Sequence, residues 1–296
     1  MINQYGFEIG VLGGQHPFVR VGKFRPPIVI LPGLTLDYRP PSWWVMSSYA
    51  LGFHRLSTAR TVYVVQRRRG LGSTTTLRDL ADEYATLIRQ EWGRADVMGL
   101  SCGGAIAQHI GLDHPESVES LILVMSGAKL GLAGRDLGLR WLGLAQTGEW
   151  ALLREELHRS APDGDTSERL TRAYRLLPAE GRPPDPVDAQ DFVTILSSLL
   201  SQDTSLRLPG LSTRTLIVGS GQDPFYPDAA LRDLAGAVPR STLVIHPQEQ
   251  RGFAKQHALE LQDDVLDFLL HRPRMSGQPG LDPDNHHTEL TGRKLS

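Results

Sequence analysis

Ala95-Asp96-Val97-Met98-Gly99-Leu100-Ser101-Cys102-Gly103-Gly104-Ala105-Ile106 is the stretch on which the reading of the fold turns. Ala95 to Gly99 reads as a strand, and the small, apolar run from Cys102 to Asp113 predicts a helix packed closely on a sheet. Between them stands one serine flanked by glycines, Gly99-x-Ser101-x-Gly103. A non-glycine residue on so tight a strand-to-helix turn is expected at positive φ, and the glycines let neighbouring elements approach. Such a turn lifts the hydroxyl above the strand end. It also aims the next backbone N–H, that of Cys102, from the positive end of the helix.

Working outward, the same alternation recurs. Tyr5 to Leu12 and His16 to Phe24 flank Gly13-Gly14 and predict a hairpin. Ile28-Val29-Ile30-Leu31 and Thr61 to Val65 are short apolar runs of the kind found in buried parallel strands. Leu77, Leu80, Ala81, Tyr84, Leu87, Ile88 and Trp92 recur with the helical period. Leu121 to Val124, Thr215 to Val218 and Thr242 to Ile245 complete the strand runs, with helices over Asp228 to Ala237 and up to about Leu270. Strand–helix alternation of this kind predicts an α/β fold with a doubly wound, mostly parallel sheet of eight strands. Residues 130–208 break the alternation with helical segments only, and are expected to form an all-helical lid. Residues 1–129 and 209–272 then make the core, and the polar tail 273–296 is expected to be disordered.

Composition excludes several partner classes. A formal net charge of -2 over 296 residues offers no field for nucleic acid or an anionic membrane. No apolar run reaches the length of a membrane span, and Met1 to Gly10 lacks the pattern of a secretory leader, so a cytoplasmic location is expected. The single cysteine, Cys102, excludes an internal disulfide and a cysteine-based zinc cage. Neither a metal nor a cofactor is expected. A small-molecule substrate is, and the oligomeric state stays open.

Five segments, in order, are similar to the α/β-hydrolase superfamily over about residues 17 to 271. Besides the serine turn, these are Leu31-Pro32-Gly33-Leu34, resembling the oxyanion loop, and Arg69-Gly70-Leu71-Gly72-Ser73, resembling the turn after the fourth strand. Asp113 to Val118 resembles the lead into the sixth strand, and Gly219-Ser220-Gly221-Gln222-Asp223-Pro224-Phe225 the loop bearing the acid. The resemblance implies Ser101 as nucleophile, Asp223 as the acid that orients a histidine, and the Leu34 and Cys102 amides as oxyanion donors. The bland alternatives are a turn residue for Asp223 and a purely structural turn for Leu31 to Leu34. Cys102 itself reads as a small packing residue and not as a thiol nucleophile.

The pattern breaks at the histidine. Where the resemblance puts it, the chain reads Pro247-Gln248-Glu249-Gln250-Arg251-Gly252, and an arginine cannot serve as general base. Three readings stay open: His257 swings into the triad, His246 at the strand end serves instead, or no histidine does. The catalytic set expected is Ser101, Asp223 and His257. Trp43, Trp44, Phe225 and Tyr226 are expected to add aromatic walls to a pocket under the lid. The function expected is hydrolysis of an ester, thioester or related bond in a medium-sized, partly apolar molecule. The alternative is a catalytically degenerate member that binds a small ligand or assists a biosynthetic step.

Overall fold

A computed structural model of the chain describes residues 7–23, 26–36, 52–160, 183–250, 258–270 and 288–291. Its centre is one sheet in the order β1-β2-β4-β3-β5-β6-β7-β8-β9. The strands are β1 (Glu8–Leu12), β2 (His16–Val21), β3 (Pro27–Leu31), β4 (Thr61–Val65), β5 (Ala95–Leu100), β6 (Val118–Val124), β7 (Thr215–Gln222), β8 (Ser241–Gln250) and β9 (Thr288–Thr291). β2 pairs antiparallel with β1 and β4, and every other pairing is parallel. The β1–β2 turn carries Gly13 at φ 54° and Gly14 at φ 72°, the two positive angles that a tight hairpin turn needs.

Seven α-helices lie among the described residues: α1 (Leu77–Trp92), α2 (Cys102–Asp113), α3 (Leu132–Thr147), α4 (Trp150–Ser160), α5 (Pro186–Ser201), α6 (Asp228–Ala237) and α7 (Ala258–Leu269). α1 runs over the residues its period predicts. Thr76 caps it reciprocally, its hydroxyl accepting from the Asp79 N–H at 3.1 Å and its own N–H donating to the Asp79 carboxylate at 2.8 Å. α1, α2 and α6 cover one face of the sheet, packed on Val29, Leu31, Val97, Leu123, Ile217 and Leu243. α7 covers the other through Leu261, Val265 and Leu269, against Ile30, Met98, Val124, Val218 and Val244. Alternate residues of each buried strand thus feed opposite layers, which is why these runs are continuously apolar.

Two details go beyond the apolar pattern. Within the tail, Thr288–Thr291 forms a ninth strand parallel to β8, from Thr242↔Thr288 to Ile245↔Thr291. The Thr-Glu-Leu-Thr segment suits a strand, and it covers the open edge that β8 would otherwise present. β7 and β8 also run further than their apolar cores. They pair on to Ser220↔His246 and then, across a bulge, to Gln222↔Gln250. Gly219-Ser220-Gly221 and Pro247-Gln248-Glu249 are poor strand formers, so the ladder between neighbours, and not propensity, extends them.

Candidate active site

Ser101 ends β5 and opens α2 at φ 51° and ψ −113°, a backbone region that side chains avoid at about 1–3 kcal/mol. Hydrogen bonds on both sides hold it there. Its N–H donates to the Val124 carbonyl of β6 at 2.9 Å, and its carbonyl accepts from Gly104 and Ala105 at 2.9 and 3.2 Å. The flanking glycines are required by contact. A β-carbon at Gly103 would stand 2.1 Å from the Leu31 carbonyl oxygen, and one at Gly99 would stand 2.4 Å from the Gly104 Cα. The turn after β3 passes beside the serine, since a β-carbon at Gly33 would lie 3.7 Å from the Ser101 Cβ. Gly33 thus lies beside the Ser101 side chain, which stands at the start of α2. The Cys102 side chain is wholly buried in the core layer, as a packing residue would be.

Among the described residues the other non-glycine residue at positive φ is Met125, at 47°, directly after β6. Its N–H donates to the Val218 carbonyl at 2.7 Å. Nothing in the sequence marks it, because methionine carries no turn signal.

Asp223 follows β7, with only 3% of its surface exposed. One carboxylate oxygen accepts the Phe225 N–H at 2.8 Å, so the residue does hold its own turn. β6 lies between β5 and β7, which puts Ser101 and Asp223 on one sheet edge about two strand spacings, roughly 10 Å, apart. Phe225 is buried and stacks on Trp141 of α3, ring centres 5.2 Å apart. The Gly131 N–H donates to the Phe225 carbonyl at 2.8 Å. The helices between β6 and β7 thus rest on the loop that carries Asp223.

They also rest on the turn after β4. Asp191 of α5 accepts from the Gly70 and Leu71 N–H groups at 2.8 and 2.7 Å, and Asp188 accepts from the Arg69 guanidinium at 2.6 Å. Both aspartates are buried. The sequence reading passed over them, because an aspartate on a helix ordinarily marks its solvent face.

Of the residues expected to complete the site, Trp43, Trp44, Arg251 and His257 lie outside the described residues. His246 is described and is committed elsewhere. It shares the parity of Val244, on the α7 side of the sheet, and its Nε2 is 2.8 Å from the Asp264 carboxylate of α7. That pair is buried and ties the last helix to β8. His16 packs on Tyr84, with its Nδ1 3.2 Å from the Gln66 carbonyl, and burial pushes its pKa down. His109 on α2 is likewise pushed down, by burial and then by Arg207. Among the described residues no group of three His, Cys, Asp or Glu side chains could hold a metal.

A cleft of about 480 Å³ opens beside the Asp223 loop, lined by Leu137, Arg140, Trp141, Glu156, Arg159 and Pro224. A second, of about 350 Å³, lies at the opposite edge of the sheet between Arg94, Glu119, Arg214 and Arg240. The first cleft adjoins Pro224, directly after Asp223, whereas the second lies at the amino ends of its strands.

The pattern of the Alpha/beta hydrolase family matches residues 28–264. Among solved structures, the fold is similar to that of an enol-lactonase from Burkholderia xenovorans LB400, with a TM-score of 0.69 and 19% identity over 89% of this chain and all of that one. It is similar to MGS-M2, an alpha/beta hydrolase enzyme from a Medee basin deep-sea metagenome library, with a TM-score of 0.72 and 15% identity over 94% of this chain and all of that one. Among curated proteins, polyketide synthase ThaQ of Burkholderia thailandensis is 26% identical over 270 residues. That match takes in 87% of this chain, which spans only 12% of the synthase.

Proposed function

The chain belongs to the alpha/beta hydrolase family, and from that premise we propose that it is a serine-dependent hydrolase of an ester or thioester bond in a medium-sized, partly apolar molecule. The observation that carries this reading is the strained backbone of Ser101, with the Gly33-Leu34 turn beside it. Strain of this kind persists only where the surroundings over-determine it, and here it presents a hydroxyl at the ligand-binding edge of the sheet. Ser101 attacks the acyl carbon, and the Leu34 and Cys102 amides receive the developing oxyanion. Asp223 orients the imidazole through its carboxylate, one oxygen of which also holds the turn. His257 supplies the base, and the insertion of α3, α4 and α5 acts as the lid. The likeness to a stretch of a protein named as a polyketide synthase points, within this class, to acyl chains of the polyketide kind.

The test is covalent labelling by a fluorophosphonate probe together with hydrolysis of acyl thioesters. Labelling of the wild type, its loss in Ser101→Ala, and loss of turnover in His257→Ala are the expected results. A wild type that takes no label overturns the reading.

One observation favours a second reading, a member that has lost its base. β8 continues as strand to Gln250, through the segment that the resemblance reads as the loop before the histidine. On that reading Arg251→His creates esterase activity where the wild type has none.

A further inference from the structure

The wall of the larger cleft holds an acceptor atom and a donor atom with no hydrogen-bond partner among the described residues. Arg140 and Glu156 face each other from α3 and α4, and the guanidinium sends both Nε and Nη2 to one oxygen, Oε1, at 2.7 and 2.6 Å. An arginine fork usually takes both oxygens of a carboxylate. Here Glu156 Oε2 is left buried with no hydrogen-bond partner among the described residues, on a side chain only 8% exposed. Trp141, from α3, lines the same cleft, and its Nε1 is also buried with no partner among the described residues. Buried polar groups without partners are costly and uncommon, and two in one wall ask for an explanation.

The chemistry of the pair narrows the ligand. Glu156 Oε2 can only accept and the indole N–H can only donate. A hydroxyl does both, donating to the carboxylate while accepting from the indole. The surroundings are apolar on one side, with Leu137, Pro224 and the Trp141–Phe225 stack, and the cleft abuts the Asp223 loop. A charged ligand would meet Arg140 and Arg159, but both already hold glutamates, Glu156 and Glu155.

We infer that Trp141 and Glu156 form a specificity site for a hydroxyl group on the acyl chain of the substrate, so that the preferred substrate is a hydroxylated acyl ester or thioester. This rests on the hydrolase reading for the bond that is cut, but the recognition it describes is separate from Ser101. Such a hydroxyl would give each orphan atom the kind of partner it lacks among the described residues.

The experiment compares N-acetylcysteamine thioesters of octanoic acid, of a set of its monohydroxylated derivatives, and of an amide-bearing chain of equal length. The wild type is expected to favour one hydroxylated isomer over octanoyl by about tenfold or more in kcat/KM, the effect of a hydrogen bond to a charged group. Trp141→Phe, which keeps the ring, and Glu156→Gln should flatten that preference, read as the ratio of kcat/KM for the hydroxylated chain over octanoyl in the same variant. Equal rates for plain and hydroxylated chains, or a preference for the amide, overturn the inference and leave the hydrolase standing. If no thioester is cut and Ser101 takes no label, the hydrolase reading has failed. Calorimetric titration of Ser101→Ala with octanoic acid and its hydroxylated isomers then decides the inference by itself. Tighter binding of one hydroxy acid upholds it, and equal binding overturns it.

Discussion

At Ser101 the chain takes a backbone angle that glycine adopts freely and a side chain resists. Ser101→Gly should therefore stabilise the fold, by about 1–2 kcal/mol, while removing any nucleophile. A rise in the thermal midpoint alongside loss of fluorophosphonate labelling is the expected pair of results, and a fall in the midpoint would mean that the hydroxyl holds the turn. Histidine burial leads to a prediction about acid. His16 is held below its ordinary value of 6.5, chiefly by burial, so the unfolded chain binds its proton first as pH falls. Its contribution to stability is then complete above about 6.5 and is lost progressively below that pH. Urea midpoints measured between about pH 5 and pH 7 should fall less steeply for His16→Phe than for the wild type. His109, shifted the same way, keeps part of the slope in that variant.

Among the elements, α5 is fastened by its carboxylates. Asp191→Ala would strip the Gly70 and Leu71 amides of their acceptor. The expected loss is about 2–4 kcal/mol, since a buried donor left unpaired forfeits its full desolvation. Asp191→Asn keeps an acceptor oxygen and should lose less than half of that, which urea titration would show. These contacts also mark where legibility in the sequence ends. α1, β3, β4 and β6 follow from period and apolar runs, because each is decided by which face is buried. The strand-to-helix turn at Ser101 follows from two glycines around one serine. The extension of β7 and β8 through glycine, serine, proline and glutamine does not, because partner strands impose it and no local preference announces it. His246 was weighed as a base from its place at a strand end, yet side-chain parity sends it towards α7 and Asp264. Parity becomes readable only once the register is known. Glu156 and Trp141 were legible only as insertion residues, since what distinguishes them is one polar atom each with no partner among the described residues.

For the molecule as a whole, the insertion between β6 and β7 does not pack apart from the sheet layer. Trp141, Leu153, Phe192, Ile195 and Leu196 of the insertion belong to the same continuous cluster as Val29, Leu31, Leu80 and Ile106 of the sheet layer. Phe192→Ala should therefore destabilise the whole chain by about 3–5 kcal/mol in one cooperative transition. Two resolved transitions by circular dichroism and tryptophan fluorescence would show instead that the insertion melts alone. The crowding at Gly103 and Gly99 has a consequence for inheritance. A methyl group at either position strikes backbone, whatever reaction the protein performs. Mutation can then erase a proton acceptor downstream at little cost to folding, while the glycines stay pinned by the penalty of losing the strand–helix junction. A descendant that has abandoned chemistry would still carry the Gly-x-Ser-x-Gly signature, which makes that signature a record of ancestry sooner than of present turnover.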